Sequence, residues 1–282
     1  MSDIGITVAE ESDARSAKRV RTTVPGLQLM KSMGNKIVVL TAYDFSSARL
    51  VERAEIDVAL VGDTLGLMML GYDTTVPVSL EDMIHHVRAV RRGLKKTLLL
   101  ADMPFGTYQI DPKEAVQNAV KLMQAGAQAV KIEGGGYLTE TVERMTNAGI
   151  PVMSHLGLTP QSYHLLGGHK SQGTDPAAAA MIFEDALALQ EAGAFAILLE
   201  AIPAKLAEDI TGQLRIPTIG IGAGPGCDGE VQVWHDILGI PPGKQLRHTK
   251  RFADIGDMIE IALRAYASEV REGSFPTKEN SL

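Results

Sequence analysis

Short apolar runs recur along the chain at 37–41, 58–61, 97–101, 129–132, 151–156, 196–199, 217–221 and 231–234. Bounded by Gly, Pro or charged residues, such runs predict strands buried on both faces of a parallel sheet. Between them the apolar positions change period. Leu80, Met83, Ile84, Val87 and Val90 recur at helical spacing, as do Ala115, Val116, Ala119, Leu122 and Met123. The punctuation agrees. Ser79 with Asp82 has the form of a capping box, Pro112 follows Asp111 as at a helix start, and Gly126, Gly149 and Gly193 each stand between a helical stretch and a strand. Eight strands, most followed by a helix, within about 250 residues predict a (β/α)8 TIM barrel, with parallel strands inside and helices outside. A doubly wound open sheet is the competing arrangement. It finds no dinucleotide fingerprint, because Gly220-Ile-Gly-Ala-Gly224 runs into Pro225 where a further small residue is needed. In a barrel that stretch follows the seventh strand, where backbone N–H groups often hold anions; it is otherwise a tight turn.

Residues 1–25 are polar and carry Lys18, Arg19 and Arg21, so they are expected to form a flexible arm. Residues 26–282 are expected to form a single catalytic barrel domain, with a polar tail from Glu269 that packs loosely or against a neighbouring subunit. A chain of 282 residues with 45% hydrophobic content can bury a large core. A net charge of −7 argues against nucleic acid as a partner. The lone cysteine, Cys227, has no disulfide mate in the chain, and the acidic start lacks a secretory pattern. With no apolar stretch of about 18 residues, no membrane association is expected and a cytoplasmic location is.

Candidate chemistry lies where the strands end. Val58-Ala-Leu-Val-Gly-Asp63, Leu98-Leu-Leu-Ala-Asp102, Ala129-Val-Lys-Ile-Glu133 and Ala196-Ile-Leu-Leu-Glu200 each finish on a carboxylate. The C-terminal strand ends of a parallel barrel carry its active site, so these acids gather in one small volume. Buried like charges need a counter-ion, and oxygen-only ligands suit a hard divalent cation such as magnesium or manganese. The competing role for each acid is to cap the helix that follows. Lys131 and Glu133, two residues apart, share the inward face. Lys131 is a structural ion-pair partner, an anion binder or a Schiff-base amine. His155 ends the fifth strand as a site residue or a hydrogen-bonded core histidine, and Glu200 is placed to act as a general base. Asp44 reads as an N-cap. His85, His86, Arg88, Arg91 and Arg92 read as a solvated or inter-subunit helix face, and His235-Asp236 receives no role.

Several stretches, taken together and in order, resemble the ketopantoate hydroxymethyltransferase family. They are Leu40-Thr-Ala-Tyr-Asp44, Val61-Gly-Asp-Thr64, Leu100-Ala-Asp-Met-Pro-Phe105, Val130-Lys-Ile-Glu-Gly-Gly135, His155-Leu-Gly-Leu-Thr-Pro-Gln-Ser162 and Ile219-Gly-Ile-Gly-Ala-Gly224, with Phe275-Pro276 near the end. The resemblance implies a (β/α)8 barrel in a homo-oligomer, commonly a homodecamer. It implies transfer of a hydroxymethyl group from 5,10-methylenetetrahydrofolate to 3-methyl-2-oxobutanoate, giving 2-dehydropantoate for pantothenate and coenzyme A synthesis. By motif, Asp63, Asp102 and Glu133 would hold Mg2+. Asp63, Thr64, Asp102, Lys131 and His155 would contact the keto acid, with Lys131 as an electrostatic partner, and Glu200 would accept the C3 proton. Two departures stand out: Thr64 replaces the usual Ser, and His169 and Ser171 replace a usual Tyr and Val.

Three rivals remain at this point. One is a carbon–carbon lyase of the phosphoenolpyruvate mutase and isocitrate lyase type. Another is a Schiff-base aldolase. The third is a barrel kept only for binding or assembly.

Overall fold

In the computed structural model, residues 19–240 and 248–282 are described; most of the expected N-terminal arm lies outside them. Eight parallel strands close into a barrel in chain order. They are β1 (Ile37–Thr41), β2 (Val58–Val61), β3 (Leu98–Asp102), β4 (Ala129–Glu133), β5 (Val152–Gly157), β6 (Ala196–Glu200), β7 (Thr218–Ile221) and β8 (Gly229–Gln232). The TIM barrel expected from the alternating pattern is thus the fold observed. The eighth strand needs correction. It starts two residues earlier than expected, and Trp234, expected to end it, begins the short helix Trp234–Leu238 that holds His235 and Asp236. The displacement has a physical cause: β8 carries Glu230 on its exposed side and lacks a continuous apolar run.

The helix signals are borne out as local chemistry. Ser79 and Asp82 cap the helix Leu80–Gly93 reciprocally, and Asp111 accepts from Lys113 N at the start of Pro112–Ala125. Asp44 caps Phe45–Arg53 in the same reciprocal way through Ser47, as its position after β1 suggests. Gly126 closes its helix at φ 121°, a conformation that a Cβ would strain.

Alternation along the strands fills the interior. Ile37, Val39, Val58, Leu60, Leu98, Leu100, Ala129, Met153, Ala196, Leu198, Ile219, Ile221 and Val231 belong to one buried apolar cluster. In β3, β4 and β6, continuing that same parity by two residues reaches Asp102, Lys131, Glu133 and Glu200. The polar site is therefore the last layer of the barrel interior.

The opposite ends of the strands are tied down by other polar groups. Glu52 accepts from the backbone N–H groups of Lys95, Lys96 and Thr97 at 3.0–3.1 Å. Burial opposes its charge, but those three donors prevail and hold its carboxyl below the usual glutamate range. At the same end Arg19 donates to Ile56 O at 2.5 Å and to Thr97 Oγ1 at 3.3 Å.

Residues from Gln232 to Leu282 cluster as a second compact unit. Its main element is the helix Ile255–Glu272, closed by Gly273 in the left-handed conformation. This helix is not among the elements expected from the sequence, and it runs to Glu272, just into the stretch expected as a polar tail from Glu269. Along it Met258, Ile261, Leu263 and Tyr266 are exposed. No helix among the described residues is long and apolar enough to cross a membrane.

Candidate active site

Lateral pairing of parallel strands sets the site. Asp102 on β3 is the register partner of Lys131 on β4, Glu133 on β4 that of His155 on β5, and Gly157 on β5 that of Glu200 on β6. Register partners in a parallel sheet point to the same side. Pairing thus brings together residues far apart in the chain. Lys131 Nζ lies 3.1 Å from Asp102 Oδ1 and 3.3 Å from Glu133 Oε1. His155 stands between two acids, with Nδ1 3.3 Å from Glu133 Oε1 and Nε2 3.3 Å from Glu200 Oε2. The second separation is that of an ion pair rather than an aligned hydrogen bond.

Asp63 and Thr64 come from the loop just past β2. The Asp63 backbone N–H donates to Asp102 Oδ2 at 3.0 Å, which locks the two acids side by side. Thr64 Oγ1 shares a 2.7 Å hydrogen bond with Tyr43 Oη, a side chain fully buried just past β1. All seven residues expected at the site are gathered at the C-terminal end of the barrel.

Two cations face four acids here, and burial makes each imbalance costly. Asp63 is driven well up from the carboxylate range, first by burial and then by Asp102 and Glu133. Asp102 is raised by burial, against the relief that Lys131 offers. For Lys131 burial opposes the charge, but Asp102, Glu133 and Asp63 outweigh it and raise the ammonium above its ordinary value. Glu133 is held down to about 2, because Lys131 and His155 overcome its burial. Burial and the Lys131 ammonium both work against charge on His155, yet Glu133 and Glu200 lift the imidazole to about 9. Near neutral pH the centre therefore holds an ammonium and an imidazolium. A lysine held protonated in this way is a poor Schiff-base nucleophile.

Accessibility separates the acids. The side chains of Asp102, Lys131, Glu133 and His155 are at most 4% exposed, whereas that of Glu200 is 18% exposed. Glu200 is the acid an incoming molecule can reach. Its backbone setting is unusual: the next residue, Ala201, sits at φ 49°, a left-handed conformation that costs a non-glycine residue about 1 kcal/mol. A Cβ on Gly157 would strike the Glu200 carbonyl, so β5 and β6 end in close backbone contact.

The donor chemistry fits a divalent cation. Asp63, Asp102 and Glu133 offer oxygen atoms only, and their excess negative charge is what such an ion would neutralise. Among the described residues no three His, Cys, Asp or Glu side chains already converge on one ligation point. Lys131 Nζ lies between Asp102 and Glu133, so a bound ion and this ammonium would share the same acids.

Three residues went unassigned in the sequence reading. Tyr43 fixes Thr64, as described. Tyr108 and Gln161 lie beneath the acids, 1% and 4% exposed. Tyr108 Oη accepts from Glu133 N at 2.9 Å and lies 2.6 Å from Gln161 Oε1. Spacing carries no signal for either residue; Gln161 only falls inside the stretch from His155 to Ser162, which drew attention as a whole.

Together the barrel, the crown of acids at its C-terminal end and the single reachable carboxylate define a barrel enzyme acting on a small molecule. The ketopantoate hydroxymethyltransferase family model matches residues 21–278. The 3-methyl-2-oxobutanoate hydroxymethyltransferase of Gluconacetobacter diazotrophicus is 56% identical over 93% of this chain and 95% of its own. That of Chloroflexus aurantiacus is 53% identical over 93% of both chains. The chain belongs to the ketopantoate hydroxymethyltransferase family. Among solved structures, phosphonopyruvate hydrolase in complex with oxalate and Mg2+ superposes with a TM-score of 0.60 at 14% identity, covering 92% of this chain and 93% of that one. A 2,3-dimethylmalate lyase of the phosphoenolpyruvate mutase and isocitrate lyase superfamily gives 0.57 at 15% identity, covering 93% and 92%. The likeness to the lyases is one of fold, and the family match sets aside both the lyase and the binding-only barrel.

Proposed function

We propose that this hydroxymethyltransferase takes its one-carbon unit from 5,10-methylenetetrahydrofolate and passes it to C3 of 3-methyl-2-oxobutanoate, giving 2-dehydropantoate, with Glu200 as the base. The observation that supports this most is Glu200 itself, a reachable carboxylate held across His155 from a buried, acid-rich centre. Asp63 and Asp102, with Glu133 through water, are the residues that would hold Mg2+. When bound, such an ion supplies Lewis acidity to the carboxylate and keto oxygens of the substrate and so favours the enolate.

The remaining roles fall to the chain's own side chains. The Lys131 ammonium faces the negative charge that builds up on the substrate oxygens. Thr64, oriented by Tyr43, presents its hydroxyl beside Asp63. His155 fixes Glu200 from behind through Nε2. Glu200 removes the C3 proton. Water cleaves the two C–N bonds of the methylene bridge, releasing tetrahydrofolate and a formaldehyde-level carbon. The carbon nucleophile adds to that carbon, the new alkoxide taking a proton back from Glu200.

Deuterium exchange at C3 of 3-methyl-2-oxobutanoate, followed by NMR, tests this reading. Exchange that requires Mg2+ and proceeds without folate is expected, with 2-dehydropantoate formed only when 5,10-methylenetetrahydrofolate is added. No exchange under any condition, folate present or absent, would sink the enolate step.

We also propose a homo-oligomer, a homodecamer by likeness to the family, with the enzyme in the cytoplasm. The exposed Met258, Ile261, Leu263 and Tyr266 support assembly, since a monomer rarely leaves a long apolar face open. Sedimentation velocity should show a species near ten chains; a monomer at micromolar concentration contradicts it.

A further inference from the structure

Gln161 lies in the 3-10 turn Pro160–Ser162, past the end of β5. Its amide is fully committed. Nε2 donates to Asp63 Oδ2 and to Met103 O, both at 2.9 Å. Oε1 accepts from Tyr108 Oη at 2.6 Å and from Gln109 Nε2 at 3.0 Å. The backbone N–H of the same residue donates to Glu133 Oε2 at 3.0 Å. These partners leave no choice in how the amide is turned. One end must face donors and the other must face acceptors.

One side chain with its own backbone therefore grips two of the four acids that gather at the centre, Asp63 from the loop past β2 and Glu133 from β4. Asp63 is the least compensated of them: among the described residues no cation lies within ion-pair distance of it, and its described side-chain partner is the Gln161 amide. A carboxylate that is to ligate an ion must be aimed. A neutral donor on one of its oxygens fixes that aim without adding a competing charge. Glutamate at this position would set a further carboxylate against Asp63, and an apolar residue would leave the Oδ2 oxygen buried and unpaired.

We propose that Gln161 is a positioning residue that holds Asp63 oriented, and steadies Glu133, for binding of the divalent cation. The inference rests on the metal-dependent reading given above. Gln161→Met and Gln161→Glu, both close in volume to glutamine, are compared with the native chain. Mn2+ binding is followed by electron paramagnetic resonance, and folding by the thermal melt of the metal-free protein. Both variants are expected to bind Mn2+ about ten- to a hundredfold more weakly, the usual cost of losing such a supporting contact. The Mg2+ concentration for half-maximal C3 exchange should rise by the same factor, with the rate at saturating Mg2+ within about threefold of native, as expected for an effect on ion affinity alone. A residue that only supports the fold would lower the melt and the rate and leave the Mg2+ requirement where it was. Glutamate is isosteric with glutamine, so Gln161→Glu serves if the thioether variant does not fold. Native-like Mn2+ affinity in a folded variant overturns the inference alone. No Mn2+ binding by the native chain overturns the metal reading and this inference with it.

Discussion

Glu200→Gln is expected to slow C3 deuterium exchange by about a hundred- to ten-thousandfold, the range ascribed to a positioned general base. The substitution removes the proton acceptor and preserves shape. It should leave Mn2+ binding near native, because Glu200 lies on the far side of His155 from the proposed ion ligands. A second signature follows from the imidazole. His155 is lifted to about 9 by Glu133 and Glu200 together, against burial and Lys131, so an amide at position 200 should bring it down. An NMR titration of the His155 ring reads this directly. Full exchange activity in the amide variant would exclude Glu200 as the base.

Lys131→Met is expected to be the most damaging substitution for the fold. Breaking a buried ion pair by removing one partner costs about 3–5 kcal/mol, since the other charge stays behind. Lys131 faces two such partners, Asp102 and Glu133. The loss should depend on pH, and the sign can be worked out. Asp63 and Asp102 have native values raised above their unfolded ones, so the folded state holds protons that the unfolded state has released. Their penalty is absent below the unfolded carboxylate value and grows as pH rises toward the raised native values. Without Lys131 those values climb further. In urea unfolding of the metal-free protein, the gap between native and variant should be smaller near pH 5 than near pH 7.5. An equal gap at both would place the damage somewhere other than this cluster of charges.

The barrel was legible in the sequence because its strands are short, apolar and regularly spaced, and its helix starts carry their own capping chemistry. The acid-ended strands were legible for the same reason: β2 to β4 and β6 each run straight into a carboxylate. Parity placed Lys131 and Glu133 on one face before any coordinates. What spacing does not encode is which neighbours meet across the sheet. That Asp102 is opposite Lys131 and Glu133 opposite His155 depends on the stagger of adjacent strands. β8 was misplaced because one of its faces is polar, and periodicity has little to hold there. The helix Ile255–Glu272 is masked in the sequence because its apolar positions are interleaved with acids and arginines and run directly into a polar end. Gln161 was hidden for a deeper reason. An amide reports its role only through the partners at each of its ends, and those lie on two other segments, the loops after β2 and β3.

The pairing of β4 with both neighbours makes the charge pattern of the site a matter of reading frame. Val130 and Ile132 alternate with Lys131 and Glu133 along the strand. Losing or gaining one residue within β4 would turn the lysine and the glutamate outward into the helix layer and bring the two aliphatic side chains to the centre. The connecting loops tolerate changes of length; this strand does not. Diversification of such an enzyme should therefore proceed by lengthening loops and by exchanging residues in place. Within β4, exchanges at 131 and 133 rewrite its chemistry, while those at 130 and 132 only adjust its packing.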